Sequence, residues 1–317
     1  MIATLQSLRF VFLVMIFLSH FAYHGIGAWD AFGDCGVAFF FMLSGFVLSV
    51  GYGPRLSDHS FSFSTFMRRR LIKLYPLHLL CLVFYLIVSH SGFGIPVLLN
   101  ALLLQSWIPD PDIYFSCNSV SWFLSSLMFC YLVFPVAYRC VSWRWLSALL
   151  ALYLAVCLLV PESHVNAVLY IHPLLRFVDF YIGIVLARVY ENGYPRSLPG
   201  WAEPLTVVLL LLALMAYPYL DVKFRNAPLF WLVLVPLILV FAKGQGGLSS
   251  LLNRKPMQLL ASLTMPAYMI HQMLLGILLA RLPEMPAGLM LFVCLLTVLV
   301  MSWCIERFFL RQIERLG

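Results

Sequence analysis

Charge is scarce in this chain. Asp, Glu, Lys and Arg make up 10% of its 317 residues, against roughly a quarter in a soluble domain. With 63% hydrophobic residues and a mean hydropathy of +0.95, the chain reads as an all-α polytopic membrane protein. No segment is polar enough for a separate soluble domain, so a single transmembrane domain over 1–317 is expected. Other absences narrow the chemistry. Neither a Walker nor a Rossmann glycine pattern occurs. The eight cysteines include no C-x-x-C pair and no zinc-type spacing, so no metal is expected. Most cysteines fall in apolar spans and read as small hydrophobes. Cys35 and Cys117 both fall toward the outer face, and their pairing stays open. The first stretch lacks a basic leader, carries Arg9 at its middle and precedes no A-x-A-like site, so it is not a cleaved signal. Internal repeats and low-complexity runs are missing. A net charge of +7 fits cytoplasmic loops of a membrane protein rather than nucleic-acid binding, which is not expected.

Apolar spans of helical length run over 4–23, 34–51, 72–90, 121–139, 145–160, 169–190, 203–220, 228–243, 257–280 and 286–307. The fold expected is therefore a bundle of about ten transmembrane helices. A shorter apolar stretch, Ile95 to Ile108, reads as a re-entrant or interfacial segment. If it does not cross and the N-terminus is cytoplasmic, 15 of the 20 Lys and Arg lie inside. Only Lys223, Arg225 and Arg281 then lie outside, while Arg9 and Arg176 stay within spans. If the short stretch crosses, this asymmetry largely disappears. Charge bias therefore favours both termini in the cytoplasm.

The stretch Ser7 to His24 holds two ionisable residues, Arg9 and His20, in an apolar helix. Their spacing of 11 is about three turns, so they share a face some 16 Å apart along the axis. Intramembrane ionisable residues usually serve a function; the plainer alternative is a snorkelling Arg and a structurally bonded His. Ser44-Gly45 in GVAFFFMLSGFVLS marks either close helix packing or a substrate path. Arg68, Arg69, Arg70 and Lys73 cluster where a helix enters from the cytoplasm. They read as a lipid anchor or as a dock for a phosphorylated ligand such as coenzyme A. Trp122 is an interfacial anchor or a site residue, and Ser125 a backbone bonder or a site residue. Arg176 and Asp179, three apart, read as an intrahelical ion pair. Tyr268 and His271 repeat that spacing near the C-terminus, with His271 open to a structural or a functional role.

Taken in order, these motifs resemble the acyltransferase-3 family of integral membrane acyltransferases. Arg9 and His20 match its R-x10-H motif, and Phe41, Ser44, Gly45 and Phe46 match F-x-x-S-G-F. Arg69, Arg70 and Pro76 match R-R-x-x-R-x-x-P, with Lys73 replacing the last Arg. Trp122, Leu124 and Ser125 resemble W-S-L-S-V-E, with Leu127 where the family often has Glu. Arg176, Phe177, Phe180 and Gly183 resemble R-F-x-E-F-x-x-G, with Asp179 for Glu. SLTMPAYMIH and IERFFL resemble the closing motifs. The likeness spans nearly the whole chain. Some members carry an extra C-terminal esterase-like domain, which is not expected here.

The resemblance implies transfer of an acyl group, usually acetyl, from cytosolic acyl-CoA to a hydroxyl of an envelope carbohydrate or glycolipid. It implies residence in the bacterial inner membrane among membrane lipids, with acyl-CoA as co-substrate. His20 is then the general base or a transient acyl carrier. Arg9 contacts the donor or stabilises the thioester oxygen. Arg69, Arg70 and Lys73 hold the CoA phosphates. Asp34 is the candidate to orient His20. Ser44, Trp122, Ser125, Arg176, Tyr268 and His271 support the site or the substrate. The alternative is a carrier of a lipid-linked sugar or small acid, against which stand the missing repeats and paired broken helices. A lipid-binding structural protein would leave Arg9 and His20 unexplained.

Overall fold

The structure is a computed structural model that describes residues 2–21, 29–90 and 92–316. Residues 22–24 of the first apolar stretch lie outside the described residues. Among the described residues there is no β-strand. That is what a lipid environment demands, because helices satisfy their own backbone polar groups. Ten helices carry the architecture: α1 (Ala3–His20), α2 (Asp30–Ser57), α3 (Phe63–Ser89), α4 (Trp122–Arg139), α5 (Trp143–Leu159), α6 (Pro173–Glu191), α7 (Ala202–Ala216), α8 (Pro228–Lys243), α9 (Thr264–Arg281) and α10 (Ala287–Ile305).

Among the described residues, seven helical runs are long and apolar enough to cross a membrane, and two bent pairs bring the number to nine. With 17 residues, α5 is about 25 Å long and sits at the short end of crossing lengths. About ten is therefore an approximate count. Large apolar side chains such as Leu159, Leu232 and Leu211 stay exposed on the outside of the bundle, as lipid contact requires.

Two of the sequence-predicted spans are broken helices, which corrects the expectation that paired breaks are missing and removes that argument against a carrier. The span over 169–190 contains a bend of 48° between Glu162–Ile171 and Pro173–Glu191. Pro173 opens α6, and the preceding His172 is extended, as a residue before proline prefers. The span over 257–280 bends by 57° between Lys255–Ser262 and α9. Pro266 stands in the first turn of α9, where its missing N–H costs nothing.

Helices α2 and α6 cross closely at two glycines. A Cβ on Gly45 would run into the Phe180 carbonyl, and one on Gly183 into the Met42 carbonyl. Gly45 thus has the packing role that Ser44-Gly45 suggested. Around this crossing lie Phe39, Phe41, Phe46, Phe134 and Phe180, all fully buried. The short stretch after α3 does not continue as a long helix. It forms a seven-residue helix, Ile95–Ala101, and a 3-10 turn, Gln105–Trp107. Polar side chains pin it to the bundle: Gln105 donates to the Ser121 hydroxyl at 3.1 Å, and Ser121 to the Asn100 oxygen at 2.8 Å.

Candidate active site

Two cavities lie back to back in the bundle. The first, of about 110 Å³, is bordered by Arg9 and Gln6 of α1, Ser44 of α2, Arg70 and Lys73 of α3, and Tyr131 of α4. Its far wall is aromatic, made by Phe40, Phe123 and Tyr268. The second, of about 290 Å³, is lined by His20, Trp122, Tyr170, Ser119, Gln272 and again Tyr268. The face shared by Arg9 and His20 thus serves both cavities, one residue in each.

In the first cavity the cations are held by neighbours. The Arg9 guanidinium donates to the Gln6 amide oxygen at 3.1 Å. That direction is expected, since helical side chains lean toward the N-terminus. Arg70 donates to the Tyr52 hydroxyl at 3.3 Å and lies 5.7 Å from the ring centres of Tyr52 and Phe66. Lys73 is exposed at the mouth. Arg69 is exposed too, but it does not border the cavity. Ser44 donates to the Phe40 carbonyl of its own helix at 2.7 Å. Leu127 presents an apolar side chain to this cavity.

His20 ends α1 and is exposed, whereas His271 of α9 is fully buried. Nδ1 of His20 lies 2.9 Å from Nε2 of His271. On its other side, His271 Nδ1 lies 2.7 Å from the Tyr268 carbonyl oxygen. A carbonyl only accepts, so Nδ1 of His271 carries the proton and donates. A neutral His271 then has a bare Nε2, which accepts from Nδ1–H of His20. In a neutral His20 with this arrangement, Nε2 is the unprotonated nitrogen.

The expectation that Asp34 orients His20 is not met. Asp34 accepts from the Tyr217 hydroxyl at 2.6 Å, and His271 takes the orienting place. Arg176 and Asp179 form the expected ion pair at 2.8 Å, fully buried. Arg176 also donates to the Leu169 carbonyl at 2.8 Å and stacks 5.1 Å from the Tyr170 ring centre. Trp231 donates to the other Asp179 oxygen. Arg176 therefore steadies Tyr170, which in turn packs 5.0 Å from Trp122 at the second cavity. Ser125 borders neither cavity; it donates to the Leu103 carbonyl at 2.7 Å and fastens the short apolar segment.

Gln6, Phe40, Phe123, Tyr131, Tyr170, Ser119 and Gln272 were not picked out by sequence. Gln6 stands one turn before Arg9 on the same face, a readable signal. The aromatic residues had none, because they look like any other core position. Ser119 donates to the Gln272 oxygen at 2.5 Å on the wall of the second cavity. All eight cysteines are free, Cys35 and Cys117 included. Among the described residues no group of three or more His, Cys, Asp or Glu is arranged to hold a metal.

A family model described as an acyltransferase domain matches residues 2–306. The chain is also similar to the acyltransferase MdmB of Streptomyces mycarofaciens, with 32% identity over 213 residues. That match covers 58% of this chain and 52% of the relative, so the chain spans about half the relative's length. No solved structure matches.

Proposed function

The chain belongs to the acyltransferase-domain family, and on that premise we propose that it transfers an acetyl group from cytosolic acetyl-CoA to a hydroxyl of an envelope carbohydrate or glycolipid. The observation that carries this reading is the pair of back-to-back cavities, one basic and one holding a histidine with a free Nε2. Donor phosphates meet Arg70 and Lys73 at the basic mouth. Apolar cavities of about 150 Å³ accommodate a benzene ring, so about 110 Å³ suits a short acyl end. The larger outer cavity, with Trp122 and Tyr170 on its wall, suits the flat faces of a sugar.

Chemistry then runs through His20. Its Nε2 takes the proton of the acceptor hydroxyl as the oxygen attacks the thioester carbon. The C–O bond forms, the C–S bond breaks, and the proton passes to the leaving CoA thiolate. His271 holds the imidazole in the tautomer that this needs. Arg9 points toward Gln6, away from His20, so its part is donor binding rather than stabilisation of the thioester oxygen. With Leu127 in the basic cavity, no carboxylate from that position assists. The protein sits in the bacterial inner membrane, with both termini in the cytoplasm.

His20→Ala provides the test. The purified variant should insert and bind acetyl-CoA like the wild type, while losing about 10² to 10⁴ in transfer rate, the range of a deleted general base. Near wild-type transfer by His20→Ala would refute the assignment. A carrier, by contrast, would leave the thioester intact even in the wild type.

A further inference from the structure

Tyr268 is the one side chain among those described that borders both cavities. His20 is absent from the lining of the basic cavity, and Arg70 and Lys73 are absent from that of the outer one. A donor seated at the basic mouth therefore faces His20 across the Tyr268 ring. The ring lies 5.4 Å from that of Phe123 and 6.5 Å from that of Phe40, and its hydroxyl donates to the Val120 carbonyl at 3.0 Å. The wall is one side chain thick at this point. Because the acyl end leads the thioester away from the phosphates, it is the part of the donor that meets this wall.

We propose that Tyr268, backed by Phe40 and Phe123, is a specificity-determining partition that the acyl group must displace to reach His20 and that limits the acyl chain length accepted. The proposal rests on the donor and acceptor reading above. In the rest position the ring keeps the thioester from the outer cavity and its water. When the ring swings, its hydroxyl gives up a single hydrogen bond to one backbone carbonyl. The Tyr268 carbonyl that receives Nδ1–H of His271 belongs to the α9 backbone and stays in place, so the base remains set while the partition opens. No co-reactant beyond thioester and hydroxyl is needed.

The test uses the full chain in detergent with saturated acyl-CoA thioesters of increasing length, from acetyl to octanoyl. Release of the CoA thiol is read without any carbohydrate, together with donor binding. Tyr268→Ala should raise thiol release several-fold and move the longest accepted acyl group to higher homologues. Tyr268→Phe, which keeps the ring, should retain the wild-type length limit. Phe123→Leu should shift that limit in the same direction as Tyr268→Ala, and it carries the test if the latter does not fold. Wild-type length profiles in Tyr268→Ala or Phe123→Leu, with donor binding intact, would overturn the partition. A wild type that neither binds nor cleaves any acyl-CoA would instead overturn the donor reading, and the partition with it.

Discussion

At the scale of single residues, the pairing of His20 with His271 at 2.9 Å is the feature on which the proposed chemistry rests. An exposed imidazole alone exchanges its proton between two nitrogens. Here the buried partner removes that freedom, because its own Nδ1 is committed to the Tyr268 carbonyl. Replacing His271 should therefore act on the state of His20 rather than on packing alone. His271→Leu removes the Nε2 acceptor that faces Nδ1 of His20, and transfer should fall by about 10²-fold or more. His271→Gln can present an amide oxygen near the place of Nε2 and should recover part of that loss. Transfer rates beside donor binding and unfolding midpoints would check this. Equal rates in Leu and Gln variants would reduce His271 to a structural role. From the sequence, Arg9, His20, Tyr268 and His271 were legible, because ionisable residues in an apolar helix are conspicuous. Their partners were not. The choice of His271 over Asp34 depends on how α1, α2 and α9 meet, which spacing within one helix does not contain.

At the scale of elements, the apolar runs marked helices well and their breaks poorly. Pro173 and Pro266 lie in first turns and coincide with bends, whereas Pro76, Pro135 and Pro236 lie inside α3, α4 and α8. A hydropathy window averages over both kinds and joins the broken pieces into one span. Proline position within the run was the readable clue. The crossing of α2 and α6 was half legible: Ser44-Gly45 flagged it, but its partner Gly183 was visible only as part of a motif. That crossing supports a stability prediction. Gly183→Ala places a methyl where the Met42 carbonyl already stands, so the helices must separate, at a cost of about 1–3 kcal/mol. Gly276→Ala is the control, since nothing lies within 4 Å of a Cβ there. Thermal unfolding in detergent should show a lower midpoint for Gly183→Ala and no drop for Gly276→Ala. Equal midpoints would mean that the crossing relaxes freely.

At the scale of the whole molecule, hydrogen bonds between helix ends sort the chain into two faces. On one face, Thr4 donates to the Phe241 carbonyl, Ser7 to that of Leu252, Gln258 to that of Ala3 and Lys243 to that of Gly193. On the other, Tyr217 donates to Asp34 and Cys157 to the Lys223 carbonyl. The start of α1 thus lies with the end of α8, and the start of α2 with the end of α7. This alternation is compatible with a count of about ten crossings. Lys243, Arg254 and Lys255 flank the first face, whereas Lys223 and Arg225 flank the second. Positive residues concentrate in the cytoplasm, so we propose that the first face is the cytoplasmic one, with the basic cavity opening there toward the proposed acyl-CoA donor. Single cysteines at 254 and 223, placed in a chain whose native cysteines have been replaced, should react with an impermeant thiol reagent from opposite sides. Position 254 should react only in inside-out vesicles and position 223 only in intact cells. The reverse pattern would put the basic mouth on the outer side, away from any pool of acyl-CoA, and would remove the donor assignment for Arg70 and Lys73. Reaction of both positions from one side would break the ten-crossing alternation itself.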